Sequence, residues 1–276
     1  MAEAYTDFAD VYDELMDDVP YEAWKDRIAW LIQEYGVSQR VSGEEKSLES
    51  LEDALASERD LIVDLGCGTG TLTELLAKDG FDCIGVDNSE AMLAKAMEKK
   101  EESGSEILYL LQDMRELSLY STVGTVVSVC DSLNYLLEEE ELLQVFSLVN
   151  NYLYPRGLFI FDFNTDYKYR EVIGDAVIAE NREDCSFIWE NFYDPEEGIN
   201  EYDLTMFLKR EGELFERVSE THFQRGYEAA RIEELLKKAG LEVVLLRDAD
   251  TDGEVTETTE RVYAVARECQ KEPQGL

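Results

Sequence analysis

One segment constrains this chain more than any other: Val63-Asp64-Leu65-Gly66-Cys67-Gly68-Thr69-Gly70. It closes an apolar run from Leu61 to Leu65, too short for a buried helix and without polar alternation. Such a run reads as a strand buried on both faces. Three glycines follow, and then Leu72, Leu75 and Leu76 recur at helical spacing. The chain therefore passes from strand to helix through a turn that side chains do not crowd. Glycine permits a sharp turn there and lets a ligand approach the backbone without meeting a Cβ.

The details of the turn select among ligands. A pyrophosphate-binding dinucleotide loop reads G-x-G-x-x-G and seats its phosphates on the helix N-terminus. Here the order is G-x-G-x-G, position 71 is threonine, and Asp64 stands two residues before the first glycine. A carboxylate repels a pyrophosphate and attracts an amino group or a sulfonium. The turn points away from a nicotinamide dinucleotide and towards S-adenosylmethionine. Asp87 ends the next apolar run, Cys83 to Asp87, at 21 residues from Gly66. An acidic side chain at that distance can accept both hydroxyls of a ribose. Asp113 ends a third run in LLQDM, placed to accept from an exocyclic adenine amine. Three carboxylates at consecutive strand ends face one crevice, where open α/β sheets bind ligands.

The rest of the chain alternates in the same rhythm. Further strands are predicted at Thr125–Cys130 and Gly157–Phe163, with helices around Met92–Met97 and Leu142–Leu153 between strands. Near-continuous apolar strands alternating with helices imply an α/β fold with a parallel sheet covered on both faces. Ahead of them, residues 1–59 carry two amphipathic helices, through Phe8, Val11, Tyr12, Leu15 and Met16 and through Trp24, Ile28, Leu31, Ile32 and Tyr35. A polar connection with a possible short helix at Leu51–Ala56 follows. Residues 175–225 break the pattern with longer alternating strands, one placing Phe187, Trp189, Asn191 and Tyr193 on one face. They read as an antiparallel sheet inserted into the core, which comprises 60–174 and 226–268. The linker DADTDGEVTETT has no helical pattern, so the closing strand, Val262–Ala266, is expected to run reversed in a hairpin. Residues 269–276 form a tail, expected to be disordered from Gln270.

These segments resemble the class I S-adenosylmethionine-dependent methyltransferases, small-molecule type. VDLGCGTG is similar to the family's first motif, GVDNSEAML to its second, LLQDMREL to its third and SVCDSLNYL to its fourth. The resemblance implies a Rossmann-like seven-stranded sheet with a reversed final strand. By position it implies that Asp64, Gly66, Cys67, Gly68 and Gly70 surround the methionine portion. It places Asp87 and Asn88 on the ribose, Gln112, Asp113 and Met114 at the adenine, and Asp131 at the mouth near the methyl group. YTDFADVYDELM resembles the cofactor-covering first helix of one subgroup, which would make Tyr5 and Tyr12 lid residues. No Asn-Pro-Pro-Tyr tetrapeptide follows the fourth strand, which argues against methylation of a nucleic-acid base or of glutamine. No catechol-type metal set appears, so no metal is expected.

Methyl transfer is an in-line displacement that leaves little trace outside the cofactor site. His222 is the single histidine and, with Asp131, the candidate catalytic group. Tyr135, Trp189, Tyr193 and Arg225 are candidate substrate contacts, Arg225 for an anionic group. The expected reaction is transfer to O or N of a small molecule. The alternatives are a non-catalytic sensor of S-adenosylmethionine and a nicotinamide-dependent reductase, the latter disfavoured by the glycine spacing. Composition bears on partners: Lys and Arg number 25 against 63 Asp and Glu, a formal charge of −38. That field disfavours nucleic acid and anionic lipid. No apolar run spans a membrane, no basic leader precedes an apolar core, and the five cysteines are odd in number and widely spaced. A cytoplasmic monomer or homodimer is expected.

Overall fold

The computed structural model describes residues 8–40, 57–210 and 212–272. Seven strands form one sheet: β1 (Leu61–Leu65), β2 (Asp82–Asp87), β3 (Leu108–Leu111), β4 (Val123–Ser128), β5 (Leu153–Asn164), β10 (Leu241–Asp248) and β11 (Arg261–Glu268). Their order is β10-β11-β5-β4-β1-β2-β3. β1 to β5 run parallel to one another, while β11 is antiparallel to both β5 and β10. The reversed final strand follows from its short polar linker, which forms no crossover helix.

From β1 the chain builds outward through β2 and β3, then returns to place β4 on the other side of β1. That reversal opens a crevice above the carboxyl ends of β1 and β4. Helices cover both faces. α3 (Thr71–Lys78) and α2 (Tyr21–Tyr35) share one apolar layer, in which Ile28, Leu31, Ile32, Ile62 and Leu76 are buried. α5 (Glu139–Tyr152) and α6 (Ala229–Lys238) bury Val145, Phe146, Leu235 and Leu236 in the other. The ends of these helices are locally encoded. Ser89 Oγ accepts from Met92 N–H at the start of α4 (Glu90–Ser103). Acidic residues open α5 and Lys237 and Lys238 close α6, each matching the helix dipole.

The insert is a four-stranded antiparallel sheet, β6 (Val177–Asn181), β7 (Cys185–Asp194), β8 (Ile199–Lys209) and β9 (Phe215–Arg225). Its buried face, with Tyr202, Leu204, Met206 and Leu208, packs on Phe8, Val11 and Leu15.

Two expectations change. Among the described residues, the first N-terminal helix is a 3₁₀ turn at Phe8–Asp10 and a single turn, α1 (Tyr12–Leu15), and Pro20 with the acidic pair Asp17 and Asp18 before it separates α1 from α2. The start of the tail is docked: Lys271 Nζ donates to the carbonyls of Asn150, Asn151 and Leu153 at 2.6, 2.9 and 2.5 Å. Tyr5 and the helix at Leu51–Ala56 lie outside the described residues.

Candidate active site

The glycine turn forms the floor of a cavity at the switch point. Gly66, Gly68 and Gly70 all have left-handed backbones, with φ of +79°, +55° and +74°. The N–H groups of Gly66 and Cys67 both donate to Val86 O, which folds the turn back over β2. A Cβ on Gly66 would lie 2.7 Å from Ser132 Oγ, whereas one on Gly68 would meet nothing within 4 Å. Gly66 is thus closed in by protein, and Gly68 borders the open space of the cavity.

Asp64 sits beneath the turn, 2% exposed, and accepts from Thr73 Oγ1 at 2.6 Å. Burial pushes its carboxyl up to about 7, and the charge of Asp87 adds to the rise. Asp87 accepts from Gly68 N–H and Ser89 N–H, both at 2.8 Å, and burial raises its carboxyl as well. Asp64, Gly66, Cys67, Gly68, Asp87, Asn88, Gln112, Met114, Tyr12 and Tyr135 all line the cavity. Gly70 does not; it starts α3 behind the turn.

Asp113 stands at the end of β3, yet its carboxylate faces away from the cavity. It accepts from the backbone N–H, Nε and Nη2 of Arg115, which in turn reaches Glu141. The Arg115 hydrogen bonds hold its carboxyl below the usual range. In this structure Asp113 caps a turn. Asp131 also lies outside the lining: its carboxylate accepts from Gln224 Nε2 at 2.7 Å and Arg261 Nη2 at 3.1 Å. Cys130 and Asp131 are consecutive left-handed residues, with φ of +64° and +52°. A non-glycine pair in that region is strained, by about 1–3 kcal/mol each. The bend turns Cys130 into the cavity wall and Asp131 away from it. Cys130 is a thiol and not a thiolate, since burial, then the charge of Asp131, pushes it up to about 12.

The proposed substrate contacts divide. Tyr135 lines the cavity. His222 is buried behind it, with Nδ1 at 3.1 Å from Tyr135 Oη. Trp189 packs on Tyr202 with ring centroids 5.1 Å apart, and Tyr193 Oη donates to Asp166 at 2.6 Å. Arg225 Nη1 donates to Leu137 O at 2.5 Å. Tyr193 and Arg225 tie the insert to the core, Trp189 packs within the insert, and none of the three borders the cavity.

Sequence reasoning missed part of the roof. Tyr21 lines the cavity beside Tyr12, whose hydroxyl lies 3.7 Å from Cys130 Sγ. It also missed a clasp. Asp13 accepts from Thr69 Oγ1 at 2.7 Å and Thr71 Oγ1 at 3.1 Å, and pairs with Lys99 at 2.6 Å. The threonines flanking Gly70 were the available signal.

The donor set suits S-adenosylmethionine. Asp64 offers a buried carboxylate for an ammonium, Asp87 a carboxylate for ribose hydroxyls, and Leu65, Val86 and Met114 an apolar wall for a flat ring.

Comparison with known proteins agrees with this geometry. A methyltransferase-domain profile matches residues 62–157. A Geobacillus protein bearing a provisional methyltransferase name is 37% identical over 263 residues, 95% of this chain and 99% of its own length. The chain belongs to the class I S-adenosylmethionine-dependent methyltransferases. YqeM of Bacillus subtilis, also a provisionally named methyltransferase, is 35% identical over 95% of this chain and 96% of its own. Among solved structures, an S-adenosylmethionine-dependent methyltransferase from Clostridium acetobutylicum superposes with a TM-score of 0.80 at 29% identity. That superposition covers 96% of this chain and 99% of the other, so it includes the inserted sheet. This methyltransferase is therefore an enzyme whose cofactor is S-adenosylmethionine, on a Rossmann-like sheet with a reversed last strand.

Proposed function

We propose that this methyltransferase transfers a methyl group to O or N of a small molecule bound between the glycine turn and Tyr135. The observation that carries the reading is the roof. Tyr12 and Tyr21 from the N-terminal segment and Tyr135 from the turn after β4 enclose the crevice from above. Such a lined pocket suits a small acceptor. In this reading Asp64 holds the ammonium of the cofactor, Asp87 its ribose, and Gln112 and Met114 border its adenine. S-adenosylmethionine supplies a methyl group already activated by a sulfonium. The chain's own work is to align the acceptor, exclude water and remove a proton. Residues 8–35 and the inserted sheet act as the cover of the core. All five cysteines are free, which supports a reducing, cytoplasmic setting.

The test is release of S-adenosylhomocysteine against a panel of small amines and hydroxyl compounds. Acceptor-dependent release is expected. Release only with a protein or nucleic-acid fraction would contradict the reading.

A further inference from the structure

Strand β9 carries an unusual face. Glu220, His222 and Gln224 alternate along it and all point inward, 5%, 1% and 4% exposed. Their partners on β8 include Tyr202 opposite His222 and Leu204 opposite Glu220. Buried charged and polar groups cost stability unless they are paired. This strand buries three in a row beside an otherwise apolar cluster.

The first two form a chain that ends at the cavity. His222 Nε2 lies 3.3 Å from Glu220 Oε2, an ion-pair contact without the alignment of a hydrogen bond. Glu220 Oε1 accepts from Phe8 N–H at 3.0 Å, which fixes the carboxylate. The imidazole stacks on Tyr202, with centroids 4.8 Å apart and planes 6° apart, and meets the edge of Phe8. On its other side, Nδ1 lies 3.1 Å from Tyr135 Oη, which also contacts Tyr202 Oη at 2.8 Å. Tyr135 belongs both to this cluster and to the cavity wall.

Resting on the function proposed above, we propose that Tyr135 is the catalytic proton acceptor, with His222 and Glu220 as positioning residues that drain the proton into the buried strand. The acceptor's heavy atom forms the new bond to the methyl carbon, and the electron pair of the broken C–S bond leaves on sulfur. The acceptor's proton passes to Tyr135 Oη as the phenol's own proton moves to His222 Nδ1. The imidazolium so formed lies beside the Glu220 carboxylate, and after product leaves Nδ1–H reprotonates Tyr135 Oη as the phenol's proton passes to water in the emptied cavity. The relay requires the resting ring proton on Nε2, on the Glu220 side, with Nδ1 accepting from the phenol. It also defines the substrate class. The acceptor carries both a lone pair and a proton to lose, as a hydroxyl or a neutral primary or secondary amine does, and is not a tertiary amine or a thioether.

His222 is the chain's single histidine, so ¹⁵N labelling of histidine reports on this ring alone. Long-range ¹H–¹⁵N correlation on the full chain should show the Nε2–H tautomer. Tyr135→Phe should shift the Nδ1 signal towards that of an unbonded ring nitrogen. Glu220→Gln should move the proton from Nε2 towards Nδ1. With an acceptor from the panel, both variants should lose on the order of a hundredfold in kcat, with KM for S-adenosylmethionine within about twofold. An Nδ1–H tautomer in the wild type overturns the relay, as does unchanged kcat in Tyr135→Phe. Calorimetric titration with S-adenosylmethionine separates the two proposals. Binding together with an Nδ1–H ring removes the relay alone, whereas absence of binding removes the site on which it rests.

Discussion

At the scale of single residues, the site is organised by where carboxylates are buried. Asp64 is almost wholly buried, Thr73 Oγ1 is its hydrogen-bond partner among the described residues, and its carboxyl rises from 3.8 to about 7. A carboxyl raised in the folded state holds its proton longer there than in the unfolded chain. Its contribution to the stability of the free protein is therefore largest at low pH and is lost as the pH climbs through about 7. A cationic ligand reverses the preference, because it binds the ionised form. Affinity for S-adenosylmethionine should rise between pH 5.5 and 7, approaching tenfold per unit at the acid end. It should fall again as the ligand's own amine deprotonates near pH ~8. Calorimetric titrations across that range check both limbs. Asp64→Asn should bind more weakly and lose the acid limb. The glycines offer a second contrast. Gly66→Ala forces a Cβ against Ser132 in a left-handed backbone and should cost about 1–3 kcal/mol of folding stability. Gly68→Ala carries the strain of a left-handed backbone but meets no neighbour, so its folding cost should be smaller than that of Gly66→Ala and its larger effect should be on cofactor affinity. Denaturant unfolding and ligand titration of the two variants separate these effects. Much of this was legible in VDLGCGTG, since a strand, three glycines and an early aspartate leave few uses. The direction of Asp113 was not, because Arg115 two residues on captures both of its oxygens. Strand-end position alone does not say which neighbour wins a carboxylate.

At the scale of elements, the N-terminal segment covers the cavity with Tyr12 and Tyr21, and the insert packs on that segment through Phe8, Val11 and Leu15. Asp13 joins α1 to the glycine turn through Thr69, Thr71 and Lys99. The cluster is partly exposed, so its worth is discounted to about 1 kcal/mol. Asp13→Ala should speed S-adenosylmethionine dissociation by about fivefold while leaving the unfolding midpoint nearly unchanged. Stopped-flow displacement measures it, and an unaltered off-rate would show that the segment does not gate the cavity. The amphipathic pattern of α2 and the alternation of β7 and β8 were readable because burial repeats with their periods. The joining of His222 to Tyr135 was not. It depends on the pairing of β8 with β9 and on a contact across 87 residues, neither of which has a local signature. The same holds for Trp189 and Tyr193. Their face of the strand was correct, but that face packs on Tyr202 and Asp166 and not on the cavity.

At the scale of the whole molecule, topology and net charge dominate. The order β10-β11-β5-β4-β1-β2-β3 places Asp64, Asp87 and Gln112 at the ends of three neighbouring strands. The βα rhythm made the parallel sheet legible and the helix-free linker its reversed last strand, whereas the order of the strands has no local signature. The charge of −38 acts on every part of the fold at once. Self-repulsion destabilises a compact acidic chain and salt screens it. The melting temperature of the free protein should rise by several degrees between about 0.02 and 0.3 M sodium chloride, where the Debye length falls well below the molecular size. Scanning calorimetry checks this, and a flat response would mean that paired charges already balance the field. The proposed site places S-adenosylmethionine on the glycine turn, held by the carboxylates at the ends of β1 and β2. Calorimetric titration of the wild type beside Asp87→Ala tests it most directly. Micromolar binding by the wild type, reduced at least tenfold in a variant that melts normally, is the predicted result. Equal affinity in the two proteins, or no binding to the wild type, would contradict it.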